Sequence, residues 1–132
     1  MFLQINDKKN NRGQALVEFT LVVPVLLLLL VAIMELGLVI NQYIVLTEAA
    51  REGARSAALG GSNVTVATIV RTAASHIDTG QLNIIISPEA NRTRGNGVTV
   101  TVEAPVQAIT KLMNPLFPPG FTVQGVATMR VE

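Results

Sequence analysis

The residue best placed for unusual chemistry is Glu18, a carboxylate within an apolar stretch near the amino terminus. Leu16 and Val17 precede it and Phe19 follows it. A charged side chain at the centre of a bilayer costs roughly 2.5–3.5 kcal/mol on insertion scales, and less near an interface. A helix that only anchors a domain gains nothing from that cost, so Glu18 indicates a cationic partner.

A source for that cation lies at Gly13 and Gln14. Three basic residues precede Gly13, and Glu18 lies five residues beyond it. This arrangement resembles the type IV prepilin processing site, where a membrane aspartyl peptidase cuts after the glycine. Cleavage would leave a new ammonium on Gln14, about one helical turn from Glu18. In an assembly, Glu18 could also meet the amino terminus of a neighbouring chain and so fix the axial register.

The rest of the chain offers little chemistry. His76 is the only histidine and there is no cysteine, which excludes zinc sites of ordinary ligand type. We interpret His76, close to Asp78, as a helix-end residue and not as a catalytic base. Arg92 and Arg94 are expected to be solvated. The formal charge of +1 argues against a nucleic-acid partner. The sequence therefore predicts no catalytic residue, no metal and no cofactor.

The element that must hold Glu18 is a long apolar segment. Residues 19–34 carry no charge, and the stretch with its flanks covers roughly 25 residues. About 20 helical residues cross a bilayer core of about 30 Å. Because three basic residues precede the segment and none lies in the twelve residues after Leu38, the amino end is predicted to stay cytoplasmic. Asn41-Gln42-Tyr43 follows the segment as an interfacial collar. The stretch exceeds an ordinary signal peptide and lacks its small-residue cleavage site.

Two residues of this segment allow alternative interpretations. Pro24 removes a backbone donor, and it is either a tolerated membrane proline or a hinge for helix repacking. Glu35 lies about 25 Å beyond Glu18 along a helix, near the outer interface. Headgroups could solvate Glu35, or it could pair with Arg51 or Arg55 of another subunit.

The helix is predicted to continue past Tyr43 with small residues at four-residue spacing. Ala50-Ala54-Ala58 and Ala49-Gly53-Ala57 form two rows that permit close backbone approach. The rows could pack on the chain's own head or on another subunit. The residues assigned to this packing are Ala50, Gly53, Ala54 and Ala57, with Arg51 and Arg55 beside them.

The remaining residues predict a small α+β head. Gly60-Gly61 ends the long helix, Ser62 or Asn63 caps a second helix over 64–77, and 108–113 could form one helical turn. Beyond Gly80 the apolar period becomes two, which predicts a three-stranded antiparallel sheet packed on helix. Pro105 indicates an edge strand or a strand end. The apolar faces of the three strands are Leu82, Ile84 and Ile86; Val98, Val100, Val102 and Ala104; and Phe121, Val123, Ala127, Met129 and Val131.

Four separated elements together resemble the TadE-like family of the tight-adherence (Tad) pilus machinery. They are Gly13 to Phe19, then Pro24, then Met34-Glu35-Leu36-Gly37, and then Glu48 to Arg55. The resemblance implies a minor pilin or pseudopilin, a structural subunit and not an enzyme. Its implied partners are a prepilin peptidase, a Tad secretion platform, other pilin subunits, and the lipid bilayer before assembly. Whether this chain is a minor or the main subunit stays open.

The predicted organisation has three parts. Residues 1–13 form a leader, residues 14–40 a helix for membrane and filament, and residues 41–132 an extracytoplasmic head. The predicted location is the inner or cytoplasmic membrane, and the cell-surface pilus after assembly, with a role in adherence. The alternative is an uncleaved single-pass anchor that carries a binding or scaffold domain.

We predict that Glu18→Ala leaves cleavage after Gly13 intact but impairs filament assembly. The substitution removes one member of a desolvated pair and leaves the peptide bond at Gly13 unchanged. The mature mass of the variant and its yield of filaments on cells measure the two effects separately. Normal assembly of Glu18→Ala would show that this carboxylate does not set the register.

Overall fold

The computed structural model describes residues 5–106, 110, 114–115 and 117–132, and the side chains from residue 11 onward within that set. The chain forms an α+β structure, as predicted. It divides into two compact units, Met1–Leu36 and Gly37–Glu132, which are described separately. The elements are α1 (Ile5–Ala58), α2 (Asn63–Ala73), a 3-10 turn (Thr79–Gln81), β1 (Asn83–Ser87), β2 (Gly97–Pro105) and β3 (Thr122–Arg130).

The first unit is the amino-terminal part of α1. Alanine, leucine, glutamine and glutamate are strong helix formers, and they dominate the turns after Gly13. The helix continues through Pro24. One turn before the proline, the hydroxyl of Thr20 donates to the carbonyl oxygen of Leu16 at 2.7 Å. The predicted long apolar helix is therefore present.

The second unit has its own core, and one face of α1 forms a wall of it. Leu46 and the small residues that follow it on this face are buried against α2 and the sheet. Alanine and glycine remove side-chain bulk, so the backbones of the packed elements approach closely. The structure thus places both small-residue rows against the chain's own head. The buried members of the rows are Ala49, Ala50, Gly53, Ala54, Ala57 and Ala58.

The sheet is antiparallel, with strand order β1-β2-β3. Along β2, buried side chains alternate with less buried ones, as the period of two predicted, and Val98, Val100 and Val102 are fully buried. In the register, Val100 lies between Ile86 of β1 and Ala127 of β3. β2 is the central strand of the sheet, so Pro105 does not lie on an edge strand. It is the last residue of β2, as the second interpretation predicted.

Two glycines set the distance between α1 and the rest of the head. A Cβ added to Gly125 of β3 would lie 2.3 Å from the carbonyl carbon of Leu46 and 2.4 Å from the amide nitrogen of Thr47. A Cβ at Gly53 would lie 2.6 Å from Cγ2 of Val70 in α2. At Gly125 the obstacle is backbone, which cannot rotate away. Sequence reasoning identified Gly53 but missed Gly125, because a single glycine in a strand resembles an ordinary weak position.

The connection between α1 and α2 follows the predicted capping. Gly60 has a φ of +88°, a conformation that glycine adopts without strain, and the amide of Gly61 donates to the carbonyl of Ser56 at 2.9 Å. The Ser62 hydroxyl then accepts from the amide of Thr65 at 3.2 Å and so caps α2. The choice left open between Ser62 and Asn63 is therefore settled for Ser62.

The predicted end of α2 was wrong by about one turn. The helix ends at Ala73, and Ala74 is its cap. Ile77 lies in the turn that follows, where it packs partly buried against the core. The apolar character of Ile77 extended the predicted helix beyond Ala73. A turn residue can cover the core as well as a helical residue can, so the apolar pattern does not mark the end of the helix. The turn predicted over 108–113 lies outside the described residues, apart from Thr110.

Arg92 is not solvated as expected. It is partly buried, and its guanidinium donates to the carbonyl of Gly61 at 2.6 Å and to the side-chain oxygen of Asn63. These bonds tie the connection between β1 and β2 to the start of α2. The planar guanidinium carries several N–H donors and can bind two carbonyl-type oxygens at once. The spacing of these residues in the sequence does not reveal this arrangement. Arg94 is exposed, as expected.

We predict that Gly125→Ala destabilises the head strongly. The new methyl group would overlap the backbone at Leu46, so β3 must move away from α1, and overpacking of this kind costs about 1–3 kcal/mol. Thermal unfolding of the full chain in detergent micelles, followed by circular dichroism, should show a Tm lowered by roughly 10–20 °C.

Gly37→Ala is the control for this measurement, because a Cβ at Gly37 meets nothing within 4 Å. Equal unfolding temperatures for the two variants would contradict the close approach of β3 to α1.

Candidate functional site

The predicted processing residues lie on one exposed helical segment. Gly13, Gln14 and Glu18 are all exposed on α1. The side-chain amide of Gln14 donates to Oε1 of Glu18 at 3.3 Å, across one turn of the helix. The structure therefore brings residue 14 and the Glu18 carboxylate together. No Cβ contact would arise within 4 Å at Gly13, so the peptide bond after it is not enclosed by the described part of the chain.

The segment that follows is apolar on most of its circumference and largely uncovered by protein. Most of its large apolar side chains between residues 16 and 40 are 45% to 70% exposed. Surface helices of globular proteins carry one apolar stripe, whereas a helix apolar on all sides is normally surrounded by protein or lipid. By length and composition, the region Asn11–Ala58 includes a stretch able to cross a membrane. The most exposed of these side chains are Leu16, Phe19, Leu21, Val25 and Met34.

Pro24 and Glu35, the two residues of this segment with alternative interpretations, have different environments. Pro24 is exposed. Glu35 is only 4% exposed, although its neighbours Met34 and Leu36 are 70% and 54% exposed. Both interpretations of Glu35, solvation by headgroups and pairing with Arg51 or Arg55 of another subunit, stay predictions.

Farther along α1, the small residues and the arginines separate onto two faces. Ala50, Ala54 and Ala57 are fully buried in the head. Arg51 and Arg55 are exposed. The predicted packing set therefore splits into a buried part that holds the head and a charged part that faces away from the core.

The pair of His76 and Asp78 shows no catalytic arrangement. Both side chains are exposed, and Oδ1 of Asp78 accepts from the amide of Gly80 at 3.1 Å, which caps the 3-10 turn. Together with Asn41 and Gln42 they line a cleft of about 230 Å³. Among the described residues, no group of three or more His, Cys, Asp or Glu side chains could hold a metal ion.

Comparison with known proteins adds one finding, which concerns α1. A family model described as TadE-like protein matches residues 13–55. The match begins at the predicted processing glycine and ends in the last turn of α1, so the resemblance is confirmed for this segment. The match indicates a protein associated with a Tad pilus. No curated protein matches the chain. No solved structure matches it either.

We predict that a fragment of residues 41–132 folds without lipid or detergent. Its core residues come from Leu46 onward, so removal of the exposed apolar stretch leaves them in place. In aqueous buffer the fragment should unfold cooperatively on heating, whereas the full chain should need detergent to stay dispersed. A fragment without a cooperative transition would show that the head depends on the apolar segment.

Proposed function

We propose that this chain is a structural, pilin-like subunit of a Tad-type pilus that is held in the membrane by α1 until it is assembled. The observation that carries the proposal is the position of the processing motif. Gly13, Gln14 and Glu18 stand where the exposed apolar stretch of α1 begins, within the segment that matches the TadE-like family. The association with a Tad pilus rests on the same match, and the capacity to span a membrane rests on the length and apolar composition of α1.

The exposed apolar stretch of α1 suits two environments that the subunit would occupy one after the other. Each large apolar side chain gains about 1.5–3 kcal/mol when it leaves water, so a segment of this length does not stay uncovered. Lipid covers it before assembly, and apolar helices of neighbouring subunits cover it in a filament. The same side chains suit both environments because neither requires polar partners.

In this proposal Glu18 fixes the axial register of the subunit when α1 passes from lipid into a filament. Its carboxylate already accepts a hydrogen bond from the side chain of Gln14. Cleavage after Gly13 would create a backbone ammonium on Gln14, and the pair would then be charge-assisted and stronger. In a filament, the carboxylate could accept instead from the ammonium of a neighbouring subunit, so that subunits stack at one spacing.

The proposal includes the partners and the location that such a subunit needs. A prepilin peptidase removes residues 1–13, and a Tad secretion platform extracts the subunit from the cytoplasmic membrane. Other pilin subunits then receive α1, and the head faces outward on a surface filament that acts in adherence. Pro24 would serve as a flexible point in α1.

The test is the mature amino terminus of the native protein. We predict a start at Gln14 by amino-terminal sequencing and by intact mass. Gly13→Ala should leave most of the protein unprocessed and reduce its surface display, because the peptidase requires the glycine.

Gly37→Ala is the matched control, since it adds a methyl group to the same helix where nothing lies within 4 Å. It should be processed like the wild type. An intact leader in the assembled wild-type protein would overturn the proposal and favour an uncleaved anchor with a binding or scaffold domain.

A further inference from the structure

The aromatic residues of the chain are unusually placed. There are only four phenylalanines and one tyrosine, and the core cluster of the head consists of leucine, alanine, valine and isoleucine. Phe117 and Phe121 lie instead on the connection between β2 and β3. Their ring centroids are 5.5 Å apart, and Phe121 is 44% exposed. The head therefore presents a partly exposed aromatic pair at its surface.

Two hydrogen bonds hold this pair at one end of the head. The side-chain amide of Gln42 donates to the carbonyl of Pro105 at 3.0 Å. The next amide, that of Val106, donates to the carbonyl of Phe121 at 3.1 Å. Phe121 is thus joined to α1 at Gln42 through a short bonded path.

Gln42 itself follows directly on the apolar stretch. Ile40, the last apolar residue of that stretch, lies two residues earlier, which is about 3 Å along the helix. Tyr43 comes next and is half exposed. Tyrosine is enriched where a spanning helix leaves the bilayer. The phenylalanine pair therefore lies at the end of the head that includes Gln42, two residues after the apolar stretch.

The chemistry of the connection suits a lipid surface. Residues 104–121 contain no acidic residue and one lysine. Pro118 and Pro119 are exposed and have no backbone N–H group, and the amide of Phe121 donates to the carbonyl of Pro118 at 3.0 Å. A turn with few free donors loses little when it enters the interface, where unpaired backbone groups are costly. The absence of acidic residues avoids repulsion from anionic headgroups.

We infer that the Phe117–Phe121 turn rests in the lipid–water interface while α1 spans the bilayer, which gives the subunit a second membrane contact. The inference rests on the membrane stage of the proposed function. The single α1 crossing leaves the head free to rotate about the helix axis, and a second contact on one side restricts that rotation. The turn leaves the lipid when the subunit is extracted.

The test uses tryptophan fluorescence, because the chain has no native tryptophan. Three variants of the full chain, Phe121→Trp, Leu28→Trp and Leu59→Trp, are reconstituted into vesicles of phosphatidylcholine and phosphatidylglycerol. The lipids carry bromine either near the headgroup or near the chain end. Leu28 lies within the apolar stretch, and Leu59 is an exposed residue just beyond the far end of α1.

We expect Phe121→Trp to be quenched by bromine near the headgroup and to emit at shorter wavelength than Leu59→Trp, which should stay unquenched. Leu28→Trp should be quenched by bromine near the chain end. Phe117→Trp provides a second probe if Phe121→Trp fails to fold.

The outcomes separate the two proposals. Quenching of Leu28→Trp without quenching of either phenylalanine replacement would overturn the second membrane contact and leave the spanning helix intact. A shift of emission at residue 121 that appears only in assembled filaments would also overturn it, in favour of contact with a second copy. Absence of quenching at residue 28 would overturn the membrane stage and this inference together.

Discussion

The head depends on the close contact between the backbone of β3 and the backbone of α1. At Gly125 and Leu46 the two chains come so near that a single methyl group would not fit. The small residues of α1 extend this contact along the helix, and the fully buried valines of β2 fill the space beside it. Among the described residues the core cluster contains no aromatic side chain, in keeping with the close approach of the elements around it. Replacement of small residues by large ones would therefore separate the layers instead of filling a void.

The same constraint explains a change of residue size along α1. The large apolar residues come first and are mostly exposed, whereas the small residues come later and are buried under the head. The small residues begin where α1 packs against the chain's own sheet. The charged residues of the later part, such as Arg51 and Arg55, lie on the face away from the core.

The sequence contained enough information to predict the elements, but not all of their contacts. Alternation along β2 gave the buried face correctly because each side chain of a strand has one of two directions. The small-residue rows allowed two partners, since a close backbone approach within a head and one between subunits use the same residue types. The end of α2, the role of Arg92 and the contact at Gly125 depend on groups distant in sequence, which no local pattern reports. At the candidate site, the motif from Gly13 to Glu18 could be recognised because its residues are close together in the sequence. The burial of Glu35 could not be predicted from its neighbours in the sequence.

The Leu46–Gly125 contact has a consequence for the order in which the head folds. It joins α1 to β3, so the head cannot close until both elements have formed. Before that, β1 and β2 can pair with each other, but the alanine face of α1 stays open to water. Closing a long loop costs conformational entropy, so contacts between such distant segments form slowly. The small-residue face of α1 is therefore covered late, and until then it is accessible to other helices.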